Sequence, residues 1–288
     1  YAIELKNITK RFGKIVANDG INLKVKRGEI LSLLGENGSG KTTLMNMISG
    51  IYFPDEGRIL VDGKAVSIRS PKDSFDLGIG MIHQHFKLID VMTAAENIIL
   101  GLKGNAVLDM KKVHKDIQEL VDRYGFDLDP AQKVYTMSVS QKQTVEIVKM
   151  LYRGANILIL DEPTAVLTPQ EVDKLFEVLR NMRDDGRAII IITHKLNEVL
   201  ELSDRVAILR KGKYIGTLQT SEATVESLTE MMVGEKVSLD INRPMPHDLK
   251  KRLTEANIGI ISIDTHILDE STWLNSLYME DEYVFYYI

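Results

Sequence analysis

A glycine-rich segment lies between an aliphatic run and a run with helical spacing, and it constrains the fold of this chain more than any other feature. Residues 35–43 read GENGSGKTT and match the phosphate-binding pattern G-x-x-x-x-G-K-[ST]. Residues 30–34 before the segment have the length of a buried strand, and residues 42–49 after it carry apolar side chains at helical spacing. The sequence therefore predicts a strand, a phosphate loop and a helix in direct succession.

The residue types of this segment explain why it would bind phosphate. Glycines let backbone N–H groups approach an anion closely, and a helix N-terminus adds unpaired donors with partial positive charge. Lys41 supplies a mobile cation for the outer phosphates, and Thr42 supplies a hydroxyl to Mg²⁺. A plain glycine-rich turn is the alternative, and the correct flanking elements disfavour it. The predicted nucleotide-binding residues of the loop are Gly35, Glu36, Asn37, Gly38, Ser39, Gly40, Lys41, Thr42 and Thr43.

The composition is that of an ordinary globular protein, and it excludes some functions. Hydrophobic residues are 44% of the 288 residues and charged residues 27%, which suits one large domain, or one domain with appendages. The chain has no cysteine, so it has no disulfide framework and no thiolate chemistry. Its formal net charge of −5 argues weakly against nucleic acid as the main partner.

The apolar runs of the sequence are short. None reaches the roughly 18 residues that a membrane-spanning helix needs. Charges are scattered through residues 1–14, which is unlike a secretory signal. We therefore expect a cytoplasmic protein that reaches a membrane only through a partner.

Strand and helix patterns alternate along most of the chain, and this alternation predicts an α/β fold with a mostly parallel sheet. Aliphatic runs at residues 79–82, 157–160 and 188–192 are typical of parallel strands buried on both faces. From about residue 91 to 153 only helical patterns occur, with helices expected at 94–102, 110–124 and 140–152. This stretch indicates a helical subdomain inserted between two strands.

The alternating pattern ends near Gly234, and this end marks a domain boundary. Residues 243–246 read RPMP, which favours an extended linker. We expect a nucleotide-binding domain over residues 1–234, a linker over 235–249 and a tail of unassigned structure over 250–288.

Polar residues follow the predicted buried strands at the edge where the phosphate loop lies. Asp161 and Glu162 end one strand, and His194 ends another. Asp161 suits a Mg²⁺ ligand, and Glu162 suits a base that polarises water for attack on a γ-phosphate. His194 is placed to bond to that phosphate or to Glu162. A pair of solvated carboxylates at a strand end is the alternative interpretation.

Two residues elsewhere have predicted contacts with the same nucleotide. Gln84 follows the strand at 79–82 and is placed to reach Mg²⁺ or the attacking water. Phe12, on a predicted turn and followed by Val16, is suited to stack on a base. An ordinary surface aromatic is an equally good interpretation of Phe12.

These motifs occur together in the order and spacing of an ABC-transporter ATPase subunit, and the chain resembles that family over about residues 3–234. The stretches that carry the resemblance are GENGSGKTT, Gln84, MSVSQ at 137–141, ILILDEPT at 157–164 and His194. More narrowly, residues 70–88 and 152–171 are similar to the subfamily that imports simple sugars and nucleosides. Members of that subfamily usually carry two nucleotide-binding halves, and this chain resembles the first half.

The resemblance implies a P-loop NTPase (ABC ATPase) core with a mostly parallel central sheet, an N-terminal antiparallel β subdomain and a helical subdomain at 91–153. It implies ATP and Mg²⁺ as cofactors, with Glu162 as general base and His194 as switch histidine. Gln84 would link the nucleotide to a membrane subunit and take part in catalysis. The implied Mg²⁺ ligands are Thr42, Gln84 and Asp161.

The resemblance also assigns residues at the two ends of the nucleotide. Phe12 matches the aromatic that stacks on adenine, with Val16 beside it. Residues 138–141, here called the signature segment, match the stretch that contacts the γ-phosphate of ATP held by a second nucleotide-binding domain. Its implied contact residues are Ser138, Ser140 and Gln141.

The signature segment departs from the usual LSGGQ of the family. Val139 and Ser140 replace two glycines, and side chains at these positions crowd a backbone that must approach phosphate. Thr144 stands where a basic residue usually follows, and Thr168 stands where an aspartate is usual. We therefore expect the chain alone to bind ATP and to hydrolyse it slowly.

The resulting hypothesis is an ATP-hydrolysing subunit of an importer for a simple sugar or nucleoside, peripheral on the cytoplasmic face of the cell membrane. The implied partners are a second nucleotide-binding domain (identical or different), integral membrane permease subunits and, indirectly, an extracytoplasmic solute-binding protein. Nucleic acid is not expected. The alternatives are a soluble ABC ATPase without a transport role and a hydrolytically weak half that serves as a structural partner. A GTPase is disfavoured because the sequence has no N-K-x-D motif.

Overall fold

The computed structural model describes residues 1–83, 86–102 and 109–234, and the backbone of the strands at 277–279 and 282–284. The chain divides into two compact units, residues 1–237 and 238–288. The strands of the first unit are β1 Ile3–Phe12, β2 Ile15–Val25, β3 Glu29–Leu34, β4 Glu56–Val61, β5 Lys64–Val66, β6 Ile79–Ile82, β7 Ile157–Asp161, β8 Ala188–Ile192, β9 Arg205–Arg210 and β10 Lys213–Gln219. Its helices are α1 Lys41–Ile48, α2 Pro71–Asp76, α3 Ala94–Ile99, α4 Met110–Tyr124, α5 Val139–Tyr152, α6 Pro169–Asp184, α7 Leu196–Leu202 and α8 Val225–Val233.

A six-stranded sheet in the order β10-β9-β3-β8-β7-β6 forms the centre of the first unit. The strands from β9 to β6 run parallel, and only the edge strand β10 is antiparallel. Strand β8 reads Ala-Ile-Ile-Ile-Ile and is buried along its whole length, as a parallel strand covered on both faces requires. The expected α/β class with a mostly parallel central sheet is confirmed.

Alternate side chains of this sheet enter two different cores. Ile190 and Ile192 pack with α1 and the antiparallel sheet on one face. Ile189 and Ile191 pack on the other face with the buried side of α6, for example with Phe176. Each fully buried aliphatic side chain contributes roughly 1.5–3 kcal/mol, so both cores hold the central strands firmly.

A four-stranded antiparallel sheet in the order β2-β1-β4-β5 forms the N-terminal β subdomain, which was expected. Strands β1 and β2 are longer than the short strands that alternation predicts at 3–5 and 21–25. Phe12 is therefore the last residue of β1 and does not lie on a turn.

Helices α3, α4 and α5 form the inserted helical subdomain around a core of their own. Helix α4 buries Val113, Ile117, Val121 and Tyr124 on one face; the Asp109 side chain caps its start, and its C-cap residue is a glycine with φ 79°. Helix α3 ends at Ile99, three residues before the predicted end. No helix among the described residues is long and apolar enough to span a membrane.

The second unit contains a short antiparallel pair, β11 Leu277–Met279 and β12 Glu282–Val284. The linker expected at 235–249 and the rest of the tail expected at 250–288 lie outside the described residues.

Candidate active site

The carboxyl ends of β3, β8 and β7 meet at one edge of the central sheet. The parallel register pairs Leu33 with Ile192, and Ile192 with Asp161. The phosphate loop (residues 35–43) therefore starts beside the residues that follow β8 and β7. This is the edge where parallel α/β sheets place their ligand sites.

The phosphate loop needs glycine for reasons that lie within the chain. Gly35, Gly38 and Gly40 have φ of 156°, 80° and 97°, in the region that favours glycine. A Cβ atom on Gly35 would lie 2.3 Å from the carbonyl oxygen of Leu209, and one on Gly40 would lie 2.4 Å from that of Ala17. Both obstacles are backbone atoms, so side chains cannot be accommodated here.

Two other segments hold the loop in place. Asn18 is fully buried in β2, and its Nδ2 donates to the Gly40 carbonyl at 3.2 Å. The amide of Gly212, in the turn between β9 and β10, donates to the Ser39 carbonyl at 3.1 Å. The loop is thus fixed from the antiparallel sheet and from the far end of the central sheet.

Lys41 is the first residue of α1, and its amine lies over the loop. Its Nζ donates to the carbonyl oxygens of Gly35 at 2.6 Å and Glu36 at 3.0 Å. Burial lowers the pKa of Lys41 from its ordinary value, and the carboxylates of Glu162 and Asp161 partly offset that change. The amine therefore lies within electrostatic reach of both carboxylates. Thr42 and Thr43 follow in the first turn of the helix.

Asp161 and Glu162 differ in their surroundings. Burial raises the pKa of Asp161, the Glu162 charge raises it further, and Lys41 opposes both effects. Glu162 has a left-handed backbone with φ 49°, a conformation that costs a non-glycine residue about 1–3 kcal/mol. Such strain clusters at functional sites because the surrounding structure must impose it.

Glu162 and His194 form a close pair at the sheet edge. The Nδ1 atom of His194 lies 2.9 Å from Oε1 of Glu162, and the tautomer protonated on Nδ1 donates to the carboxylate. The imidazole side chain is 62% exposed, whereas the carboxylate side chain is 18% exposed. The structure thus contains the contact between His194 and Glu162.

The site also contains buried oxygen atoms that suit a phosphate, a metal ion or a water ligand. Ser39 Oγ and Glu162 Oε2 are buried and have no hydrogen-bond partner among the described residues. Buried polar groups are normally paired. These two oxygens, the glycine cradle and the Lys41 amine together fit a bound nucleoside triphosphate with Mg²⁺.

Phe12 and Val16 lie at the end of the β1–β2 hairpin. Phe12 is 43% exposed, and its ring contacts the Tyr52 ring edge-on, with 5.2 Å between centroids. Val16 adjoins Ala17, whose carbonyl lies against Gly40 of the phosphate loop. The Lys10 amine lies over the Phe12 ring, 5.5 Å from its centroid. A partly exposed aromatic side chain thus lies on the hairpin that adjoins the loop.

The signature segment forms the N-terminus of α5. Ser138 and Gln141 make a reciprocal capping box: Ser138 Oγ accepts from the Gln141 amide, and Gln141 Oε1 accepts from the Ser138 amide. Ser140 Oγ lies 3.0 Å from Ser138 Oγ. The pKa of Glu171 on α6 is lowered, first by the Ser140 hydroxyl and then by the Thr168 amide and hydroxyl.

Helix α6 faces the signature segment across a cavity of about 360 Å³. Ser138, Ser140 and Gln141 line this cavity together with Glu171 and Lys174. The signature segment and α6 therefore line the same cavity. Gln84, which was predicted to reach Mg²⁺, lies outside the described residues.

Several residues near the site make contacts that no motif predicts. Asn18 and Gly212 support the phosphate loop, as described above. Thr164, Lys195 and Glu198 bond to one another behind Glu162 and His194. Thr164 ends the ILILDEPT stretch, and Lys195 and Glu198 are three residues apart at a helix start, but neither pattern predicts the contact between them.

Residues 18–165, slightly more than half of the chain, match the family model described as ABC transporter. The chain therefore belongs to the ABC transporter family.

Relatives with curated descriptions agree with this membership. The nucleoside import ATP-binding protein NupA of Lactococcus lactis subsp. cremoris is 48% identical over 260 residues, covering 89% of this chain and 51% of the relative. The guanosine import ATP-binding protein NupO of Bacillus subtilis is 48% identical over 92% of this chain and 51% of its own length. The glucose import ATP-binding protein TsgD13 of Haloferax volcanii is 46% identical over 84% of this chain and 49% of its own. The chain spans about half the length of the curated relatives it matches.

Solved structures give the same fold. The structure of cbiO1 from Clostridium perfringens, part of the ABC transporter complex cbiONQ, has a TM-score of 0.70 at 29% identity and covers 87% of this chain and 99% of its own. The dimeric structure of MJ0796, a bacterial ABC transporter cassette, has a TM-score of 0.65 at 27% identity and covers 76% and 98%. The expected ABC ATPase fold is confirmed.

Proposed function

We propose that this chain binds MgATP and hydrolyses it as the ATP-binding subunit of an importer for nucleosides or simple sugars. The observation that carries the proposal is the Glu162–His194 pair, whose second carboxylate oxygen is buried and unpaired in the described structure. The names of NupA, NupO and TsgD13, which are import ATP-binding proteins for a nucleoside, guanosine and glucose, support the importer role.

Each group at the sheet edge has a role in this proposal. The loop N–H groups and Lys41 hold the β- and γ-phosphates. Thr42, Asp161 and Gln84 would hold Mg²⁺, which would supply positive charge to offset that of the phosphate oxygens. Glu162 accepts the proton of the attacking water, and His194 keeps its carboxylate in place.

The proposed partners follow from the similarity to import ATP-binding proteins and ABC transporter cassettes. The signature segment would close over ATP held by a second nucleotide-binding domain, identical to this chain or different from it. The dimeric structure of MJ0796 supports such an arrangement. Membrane permease subunits and, indirectly, an extracytoplasmic solute-binding protein would complete the importer on the cytoplasmic face of the cell membrane.

A hydrolytically weak half is the second candidate function, and the signature segment favours it. Val139 and Ser140 stand at the glycine positions, and the carboxylate of Glu171 lies beside Ser140. A negative charge there opposes the approach of a γ-phosphate. In this version the chain retains its own loop and Glu162, but it weakens hydrolysis in the opposite site.

Purified protein and whole cells test the proposal together. ATP hydrolysis is measured for the chain and for its Lys41→Ala variant, alone and with the second half, across a concentration series. Uptake of labelled nucleosides, ribose and glucose is measured in cells that carry either version. Hydrolysis above the variant and uptake of one solute class are expected. Equal hydrolysis by both versions would contradict the ATPase role, and normal uptake with the variant would contradict the transport role.

A further inference from the structure

Thr164, Lys195 and Glu198 form a polar clamp between the loops that carry Glu162 and His194. Lys195 Nζ donates to the Thr164 carbonyl at 3.0 Å and to Glu198 Oε1 at 2.9 Å. The Thr164 hydroxyl donates to the other carboxylate oxygen of Glu198. Thr164 lies two residues after Glu162, and Lys195 directly follows His194, so the clamp joins the two loops close to both side chains.

The surroundings make these contacts strong. Thr164 is 1% exposed, and the side chain of Glu198 is 18% exposed. Both oxygens of the Glu198 carboxylate are used, and hydrogen bonds to charged groups are about twice as strong as neutral ones. The Lys195 side chain is 37% exposed, so the buried bond from Thr164 to Glu198 is the better protected of the two contacts to this carboxylate. Removing the carboxylate would leave the buried Thr164 hydroxyl without its acceptor.

The backbone next to the clamp is also fixed. The Lys195 amide donates to Thr193 Oγ1 at 3.1 Å, and the Glu162 amide donates to the Ile192 carbonyl at 2.9 Å. The two loops are therefore bonded to the same end of β8. The clamp adds the side-chain connection that sets the distance between them.

The His194 ring itself has little support. It is 62% exposed, and its hydrogen bond in the described structure is the one to Glu162. Because an exposed side chain exchanges rotamers freely, the 2.9 Å contact between His194 Nδ1 and Glu162 Oε1 depends on the relative positions of the two loop backbones. The phosphate loop and Phe12 lie on other segments and do not depend on the clamp.

We infer that Thr164, Lys195 and Glu198 are positioning residues that keep Glu162 and His194 in register for ATP hydrolysis. The inference rests on the proposed ATPase function. A broken clamp lowers kcat and leaves the KM for MgATP nearly unchanged, because the nucleotide contacts stay intact. A purely structural role for Glu198, through the dipole at the start of α7, predicts a change in stability without a selective fall in kcat.

Four variants of the chain, assayed with its second half, test the inference. Glu198→Ala and Thr164→Val break the clamp, Thr164→Ser keeps the hydroxyl, and Glu201→Ala is the matched control. Glu201 lies on the same helix in a surface pair with Arg180. We expect kcat to fall roughly ten- to hundred-fold in the first two variants, with KM within about two-fold, and to stay near the parent value in the others. The double variant Glu198→Ala/Thr164→Val should be no slower than either single variant, because each change alone already breaks the clamp.

A second measurement decides the question without turnover. Imidazole NMR spectra follow His194, one of six histidines, with assignment by a His194→Ala variant. In Glu198→Ala its signals should move to those of a free exposed histidine, and in Glu201→Ala they should not. Unchanged His194 signals, or equal kcat in Glu198→Ala and Glu201→Ala, would overturn the inference. Absent hydrolysis in the parent chain would contradict the proposed function, and the spectra would still decide the role of the clamp.

Discussion

The phosphate loop and the signature segment are both expected to approach phosphate, but they depend on glycine differently. In the loop, a Cβ atom on Gly40 would lie 2.4 Å from a backbone carbonyl. In the signature segment, Val139 and Ser140 occupy the first turn of α5 without positive φ, and the capping box around them is complete. The chain therefore accommodates side chains at the second place and excludes them at the first.

The difference shows where each constraint originates. Gly35 and Gly40 of the loop are required by contacts within this chain, so their loss would disturb its own folding. In the proposed dimer, glycine in the signature segment would be required only by the ATP of the other half. One half can therefore lose those glycines without a folding cost, and the departure bears on the opposite site.

The largest effect should come from Glu162→Gln. The amide cannot accept a proton from water, so turnover in the site of this chain should fall by roughly 10²–10⁴-fold. ATP affinity should stay within about three-fold, since the loop contacts remain. Single-turnover hydrolysis and equilibrium titration measure the two quantities. Near-normal turnover would show that Glu162 is not the base.

Gly40→Ser tests the comparison from the side of the loop. The new Cβ would meet the Ala17 carbonyl in a left-handed backbone, so we expect a loss of stability of about 2 kcal/mol or more and ATP affinity reduced by roughly 100-fold. Thermal unfolding and titration with ATP measure these effects. A stable variant with normal affinity would mean that the loop does not need glycine here.

Phe12→Ala separates the base from the phosphates. Loss of a stacked aromatic should weaken ATP and GTP equally, by roughly ten-fold, because stacking accepts either purine. Titration with both nucleotides gives the ratio directly. Tyr52→Ala is the matched control: it removes the ring that contacts Phe12 edge-on but leaves the Phe12 ring itself in place. A loss confined to ATP would point to readout by hydrogen bonds.

Ser140→Gly tests the comparison from the side of the signature segment, and its effect should be the smallest. Turnover in the opposite site should rise by about three-fold as the backbone comes closer to phosphate. Stability should fall by about 0.5–1 kcal/mol, as for glycine in a helix. Ser140→Ala keeps the Cβ atom and should show no gain. Unchanged turnover in Ser140→Gly would show that the side chain does not limit hydrolysis.

The features predicted well from sequence are those set by local pattern. The bounds of α4 at Met110–Tyr124 match the prediction because apolar spacing and both caps agree. The start of α6 is likewise set by a local pattern, because Thr168 and Glu171 form a capping box with Pro169 at the first helical position. Helix α2 was not predicted, although Ser70 caps it before a proline, because six residues show too little periodicity.

The features that sequence could not give depend on distant contacts. Strands β1 and β2 extend because they pair with each other, with several register shifts. Asn18 reaches Gly40 across 22 positions, and Thr164 reaches Glu198 across 34. No local pattern predicts such pairs. The phosphate loop, Asp161 and Glu162 can be predicted because each lies at the end of an aliphatic strand pattern.

The strand order of the central sheet also has a consequence for synthesis of the chain. Strand β3 leads into the phosphate loop near the N-terminus, but its neighbours are β8 and β9, which the ribosome adds much later. Until about Ile192 has emerged, the aliphatic strand β3 has neither neighbour, and until about Arg210 has emerged it still lacks β9. Such unpaired strands favour aggregation. Nascent chains should thus become able to bind nucleotide only late in translation. Until then, chaperones should bind to the exposed strands of the incomplete sheet.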